Sequence, residues 1–267
     1  MAQPRRIDSP KNDHVKELLR LKERRARERE RRFLLEGERE ILRAVESGLQ
    51  VQELLVCPDY LRPGGEELSV RLAAQPGLQV FELSAPAFDR LSYRQGPDGL
   101  LAVAALPNAD LSALQLPERA LVLIASGLEK PGNLGALLRT ADGAGLDAVF
   151  VTGVGTDLTN PNVIRASMGS LFSRPALPAG DTELLAWLAA RGFTLVAATP
   201  HATQTYWEAD YRGPTALLLG AEHQGLSRFW LDAASVRVSI PMQGLADSLN
   251  VATAGALLMY EALRQRQ

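Results

Sequence analysis

The chain holds a single cysteine, Cys57, which excludes an intramolecular disulfide and any cysteine-cluster metal site. Its three histidines, His14, His201 and His223, stand apart with no acidic or thiol neighbour at ligand spacing, so no metal is expected. No apolar run is long enough to span a bilayer, and no secretory core follows the basic start of the chain. A cytoplasmic protein without membrane contact is expected. Two nucleotide signatures are missing as well. There is no Gly-x4-Gly-Lys-[Ser/Thr] phosphate loop. Thr152-Gly-Val-Gly-Thr156 follows an apolar stretch but lacks the third glycine and the downstream acid of a dinucleotide fold.

What is present is an ordinary soluble interior: 46% apolar and 22% charged residues in 267, enough for one large domain or two average ones. Charge is nearly balanced overall at −2 but unevenly spread. Residues 1–32 carry twelve Lys/Arg against six Asp/Glu, and the remainder seventeen against twenty-five. A basic arm on an acidic body points to RNA, with Arg24, Arg25, Arg27 and Arg29 as the contacts. A solvated helix with i,i+4 pairs such as Glu28–Arg32 accounts for part of the same pattern.

Along the chain, Asp13 can cap a helix whose apolar stripe is Val15, Leu18, Leu19 and Leu21. Strand and helix signals then alternate: strand 33–35, helix 37–47, strand 54–57, helix 66–74, strand 80–83, helix 86–91 and strand 101–105. They form a small α/β unit over 1–106. The proline-bounded stretch 107–117 has no strong period and reads as a linker. Beyond it, apolar strands at 121–125, 148–151, 195–198, 216–219 and 236–240 interleave with helices, which predicts a parallel sheet covered on both faces over 118–267.

Ligands of such sheets sit at the carboxyl ends of the strands. Three loops there hold distinctive residues. After Ala125, Asn133 is placed to cap a helix ended by Gly145; its inner face is Leu134, Leu137, Leu138 and Ala141. Arg139 falls off that face, free to grip a phosphate or to pair with Asp142. After Leu219, Gly220 and Gly225 flank Glu222, a spacing that lets backbone approach a flat ligand. Glu222 is read either as a partner for an arginine or a hydroxyl, or as a plain loop carboxylate. His223 ranks behind it. After Ile240, Ser248-Leu249-Asn250 opens a helix whose start, Ala252-Thr-Ala-Gly-Ala256, is almost all small. Either another backbone passes close there or the helix packs tightly on the sheet.

The trio N-x-G-x-x-x-R (Asn133 to Arg139), L-L-L-G-x-E-x-x-G (Leu217 to Gly225) and I-P-M-x-G-x-x-x-S-L-N-V-A (Ile240 to Ala252) resembles the three motifs of SpoU-type RNA ribose methyltransferases, members of the knotted SPOUT superfamily. Ile7-x-Ser-x-x-Asn12-x-x-Val-Lys16, the arginine run and Phe33-Leu-Leu-Glu-Gly37 are similar to the ribosomal-protein-like substrate-binding domain that precedes many of these enzymes. The resemblance implies a deep trefoil knot in 118–267, S-adenosylmethionine bound bent within it, and a homodimer that completes the site. It implies that backbone at Gly220, Ile240 and Leu249, with Met242 nearby, holds the adenosyl group. Asn133, Arg139, Glu222, Ser248 and Asn250 would surround the methyl and the ribose. The implied reaction is transfer of the methyl to a ribose 2′-oxygen. A guanidinium is too weak a base for that hydroxyl, so Arg139 is expected to orient it and to stabilise the forming alkoxide. The separate N-terminal domain points to ribosomal over transfer RNA, and a non-catalytic RNA-binding protein of the same fold is the rival reading.

Overall fold

Asn12, rather than Asp13, starts the first helix: its side chain accepts from the His14 amide at 2.9 Å. The computed structural model describes residues 4–108 and 110–267. In chain order its elements are β1 (Arg5–Ile7), α1 (Asp13–Arg20), α2 (Arg24–Glu30), β2 (Arg32–Glu36), α3 (Glu38–Glu46), β3 (Val51–Val56), α4 (Pro63–Ala73), β4 (Gln79–Leu83), α5 (Ala85–Leu91) and β5 (Leu100–Ala105). There follow β6 (Leu121–Ser126), α6 (Pro131–Gly143), β7 (Ala148–Thr152), α7 (Pro161–Ala166), β8 (Ala176–Pro178), α8 (Asp181–Ala189), β9 (Thr194–Ala198), β10 (Gln204–Thr205), β11 (Thr215–Leu219), α9 (Arg228–Ala233), β12 (Val236–Ser239) and α10 (Val251–Arg266). No helix among the described residues is long and apolar enough to cross a membrane.

Contacts divide the chain into two units. The first takes the residues up to Asn108 together with Thr159–Gly169; the second takes the rest. Residues 159–169 therefore cluster with the N-terminal half, although the strand pattern counts them with the C-terminal sheet.

In the first unit the strands run β1-β4-β3-β5-β2, with β5 antiparallel to β2 and β3 and the other pairs parallel. Leu34, Leu55, Phe81, Leu101 and Val103 face Val15, Leu18, Leu21 and Phe88 from the helices, and this interior also takes in Cys57. The α1 stripe is thus buried as its period requires. His14, which has no evident partner in the sequence, stacks on Phe81 at 4.6 Å and lies 2.7 Å from Glu53 Oε2.

The second unit is a seven-stranded sheet in the order β10-β12-β9-β11-β6-β7-β8, parallel throughout. Its near-continuous apolar strands are covered on both faces, as a parallel sheet demands. Leu111, Leu114 and Leu116 pack on this core, so the stretch read as a linker is in part a piece of the second interior. Because every strand points the same way, the loops after β6, β11 and β12 leave the same edge of the sheet.

Candidate active site

The loop after β6 runs into α6 earlier than the sequence suggests. Pro131 occupies the first turn, where a fixed φ and a missing N–H cost nothing, and Lys130 takes the cap position. Asn133 is therefore inside the first turn and does not cap the helix. Its side chain is instead free to donate across to Glu222 Oε1 at 2.7 Å. Leu134, Leu137, Leu138 and Ala141 are buried as expected, and Gly145 ends the helix at φ +71°. Arg139 is exposed on the opposite face. Its alternative partner is taken: Asp142 accepts from the Ser173 hydroxyl at 2.6 Å. Among the described residues the side chain of Arg139 makes no hydrogen bond or ion pair.

The loop after β11 closes on itself through Ala221 and Gly225, each donating its amide to the other's carbonyl at 3.1 and 2.9 Å. This tight return explains Gly220. A Cβ there would stand 2.1 Å from the Gly225 carbonyl carbon and 2.2 Å from the Leu226 nitrogen. The glycine is required by its own loop, a reason different from the ligand approach inferred from the motif. Glu222 lies at the tip, half-buried. Burial pushes its carboxyl up, but the bond from Asn133 and backbone amides, including those of Glu129 and Lys130, outweighs this and holds it below the usual carboxylate range. It is an ionised acceptor at neutral pH. His223 beside it is exposed and makes no hydrogen bond among the described residues.

The third loop ends at Asn250, which does two things. Its Oδ1 accepts from the Ala252 amide at 2.9 Å and caps α10. Its Nδ2 donates to Asn133 Oδ1 at 3.1 Å. Asn250, Asn133 and Glu222 thus form one hydrogen-bonded chain joining all three loops. Of the small residues after it, Gly255 is accounted for by packing against α6 and β11: a Cβ there would meet Leu137 Cδ2 at 2.4 Å and Leu219 Cδ1 at 2.7 Å, whereas Thr253 is exposed. Ser248 is exposed and outside the chain of bonds, while Ile240, Met242 and Leu249 are half-buried.

This three-loop arrangement coincides with a family match. Residues 120–260 match the SpoU rRNA Methylase family, more than half of the chain. The chain belongs to this family. Residues 12–102 match the MRM3-like substrate binding domain. A 23S rRNA (guanosine(2553)-2′-O)-methyltransferase, RlmP, of Bacillus subtilis is 32% identical over 96% of this chain and 98% of its own length. A crystal structure of an RNA 2′-O ribose methyltransferase is 49% identical, covers 98% of this chain and 99% of its own, and superposes with a TM-score of 0.85. The SpoU methyltransferase AviRb from Streptomyces viridochromogenes, in complex with the cofactor AdoMet, is 33% identical with a TM-score of 0.89, over 96% and 98% of the two chains.

Within this SpoU chain the basic arm is not uniform. Arg24, Arg25 and Arg29 on α2 are exposed. Arg27 is 2% exposed, and its guanidinium donates to the Leu21 and Lys22 carbonyls at 3.0 and 2.9 Å and to Thr159 Oγ1 at 3.2 Å. Arg27 is a structural strut, which corrects its assignment to an RNA-facing surface. Two polar positions escaped the motif reading: Ser126, at the end of β6, and Thr152, at the end of β7, are buried, and Thr152 Oγ1 has no partner among the described residues. A hydroxyl closing an otherwise apolar strand is the only local signal they give.

The residues present suit S-adenosylmethionine. From Pro241 to Leu249 no backbone amide or carbonyl is hydrogen-bonded among the described residues. Ile240 precedes this stretch and Met242 and Leu249 lie in it, all half-buried, and unbonded backbone amides and carbonyls are groups that can read a flat heteroaromatic ring at its edge.

Proposed function

We propose that this chain methylates a ribose 2′-oxygen of ribosomal RNA, using S-adenosylmethionine. The observation that carries this is the Asn250–Asn133–Glu222 chain of hydrogen bonds, which ties together three loops at one edge of the parallel sheet in a SpoU family member. The backbone of Gly220, Ile240 and Leu249, with Met242, would hold the adenosyl group. When bound, the sulfonium supplies an electrophilic methyl to the ribose oxygen. The protein's work is then positioning and charge. Glu222, ionised, fixes the amide of Asn133, and Asn133 fixes Asn250, so the three loops present one rigid surface. Arg139, whose side chain has no partner among the described residues, is available to the ribose hydroxyl and the adjoining phosphate, where a planar guanidinium stabilises the charge that develops on the oxygen as its proton leaves to solvent. Ser248 completes the rim on the ribose side.

The reading includes a cytoplasmic homodimer and a knotted path for the C-terminal segment. What supports a dimer is an apolar face on the second unit: the exposed Trp207, Leu257 and Tyr260 beside the half-buried Tyr206, with Trp207 50% and Tyr260 52% exposed around a depression lined by Thr253 and Ala256. Tyr260→Glu should convert the dimer to monomer in sedimentation, and an unchanged mass would remove this face from the interface.

Incubation with labelled S-adenosylmethionine and a 23S rRNA transcript tests the function. Label should enter the transcript and protect one phosphodiester bond from alkaline cleavage, since a methylated 2′-oxygen cannot attack its neighbour. Label that enters a base, or none at all in folded protein, would overturn the reading.

A further inference from the structure

The first unit contains a cavity of about 560 Å³ lined by Arg39, Tyr93, Arg94, Gln95, Gly96 and Arg165. That volume is nucleotide-sized, and the lining has three guanidinium groups and no carboxylate. The acids lie underneath. Glu40, 1% exposed, accepts from Arg39 at 2.9 Å and from Arg94 at 2.8 Å. Asp98 Oδ2 accepts from Arg94 Nη1 at 3.5 Å and from the Glu38 amide at 3.2 Å. Glu36 takes the Ser92 hydroxyl at 2.5 Å and the Tyr93 amide at 2.7 Å, fixing the loop that carries Tyr93 and Arg94. Lys22, outside the lining, stands 4.5 Å from the Tyr93 ring centroid and donates to the Arg90 and Ser92 carbonyls, which holds the same loop. Arg39 and Arg94 are paired with these acids, whereas the side chain of Arg165, exposed at the end of α7, has no hydrogen-bond or ion-pair partner among the described residues and leaves the positive charge of the lining unbalanced there. Arg39 is 44% exposed and keeps free donors after its bond to Glu40.

Among the described residues two buried polar atoms of the lining residues have no hydrogen-bond partner: the Tyr93 hydroxyl and Arg94 Nε. Both are donors, and burial raises the Tyr93 pKa so that it keeps its proton. A cavity with surplus positive charge and unused donors, held rigid by buried acids, is built for an oxyanion.

We propose that this cavity binds a backbone phosphodiester of the RNA substrate, with Arg39 and Arg165 as its anion contacts and Arg94 and Tyr93 as buried donors. The proposal rests on the reading of the chain as an RNA methyltransferase. It adds that the RNA-binding unit is completed from the other half of the sequence: Arg39 and Arg94 lie in the substrate-binding match over 12–102, whereas Arg165 lies in the methylase match over 120–260. Its segment, Thr159–Gly169, is anchored in the first unit by Arg43, which donates to the Met168 carbonyl at 2.8 Å.

Filter binding of the full-length chain to a labelled 23S rRNA transcript tests it. Arg165→Glu and Arg39→Glu should each raise the dissociation constant by about tenfold or more, and Arg165→Ala should flatten the salt dependence by about one counterion. Arg6→Glu, on the far edge strand β1, controls for charge reversal and should change affinity by no more than about twofold. Thermal melting of Arg165→Ala should match wild type, because its side chain makes no hydrogen bond or ion pair among the described residues. If Arg165→Glu binds like Arg6→Glu, the cavity is not an RNA site. Methyl transfer by wild type is scored separately. Transfer together with unaffected Arg165→Glu binding sinks only the cavity, whereas absent transfer sinks the methyltransferase reading and leaves the binding comparison to decide the cavity.

Discussion

Asn133 and Glu222, 89 residues apart in the chain, meet at 2.7 Å, amide donating to carboxylate. The bond joins the loops after β6 and β11, and Asn250 extends it to the loop after β12. A carboxylate that accepts several N–H groups is stabilised in its charged form, which is why the Glu222 pKa is depressed despite partial burial. A depressed folded-state pKa contributes stability that is fully present above the unfolded value, about 4.3 for glutamate, and is lost as pH falls through the lower folded value. The melting temperature of wild type should therefore exceed that of Glu222→Gln at neutral pH, and the gap should close in acid below that range. A gap independent of pH would mean that the carboxylate charge is irrelevant to loop closure. Glu222→Ala should also slow single-turnover methylation by about tenfold or more, since Asn133 is no longer fixed.

Gly220 separates two explanations of a motif glycine. A side chain there collides first with the backbone of Gly225 and Leu226. Gly220→Val should thus destabilise the cofactor-free protein by about 1–3 kcal/mol, the usual cost of overpacking, besides weakening S-adenosylmethionine at least about tenfold, roughly 1.4 kcal/mol. Calorimetry on the folded mutant measures the second effect and thermal melting without cofactor the first. Normal apo stability with lost affinity would instead place the clash on the ligand.

The sequence makes some of this legible and hides the rest for physical reasons. The apolar strands β6, β7, β9 and β11 are long enough to show as continuous runs, β12 shows as an alternating one, and the motif residues follow the ends of β6, β11 and β12. The start of α10 reads to within the triplet Ser248-Leu249-Asn250, of which Asn250 is the cap, because a polar side chain followed by small helix formers is a local signal. β8 and β10, three and two residues long, have no period to detect. Asn133 misleads because an asparagine ahead of a helix looks like a cap, and Pro131 was the better marker. Arg27 is hidden among arginines: in α2 only Ala26 and Arg27 turn inward, too few apolar positions to reveal the buried face. The clustering of 159–169 with the first unit is a long-range contact with no local signature at all.

Arg27 and its neighbours on α2 should accordingly respond differently. Arg27→Ala leaves the Leu21 and Lys22 carbonyls without their donor and should lower stability by about 1.5–3 kcal/mol, the range for bonds to a charged group. Replacing Arg24, Arg25 and Arg29 with glutamine should leave melting nearly unchanged, weaken binding to 23S rRNA and reduce its salt slope. An unaltered slope would mean that α2 is only a solvated helix. A loss of stability from the triple change would contradict the exposure of these three side chains.

Arg139 makes the sharpest test because it has no structural work to lose. Its helix is held by the opposite face through Leu134, Leu137 and Leu138, and Asp142 is already bonded to Ser173. Arg139→Ala should leave melting, sedimentation and S-adenosylmethionine affinity unchanged. If the guanidinium stabilises the forming alkoxide, the single-turnover rate should fall by about a hundredfold or more, roughly 2.7 kcal/mol of transition-state stabilisation. Arg139→Lys should recover little of it, since an ammonium presents a point charge where the ribose oxygen and its phosphate call for two donors held in one plane. A folded Arg139→Ala protein that methylates at the wild-type rate on saturating RNA would exclude Arg139 from the chemistry. The positioning chain of Asn133, Glu222 and Asn250 would then be the part of the site left to supply it.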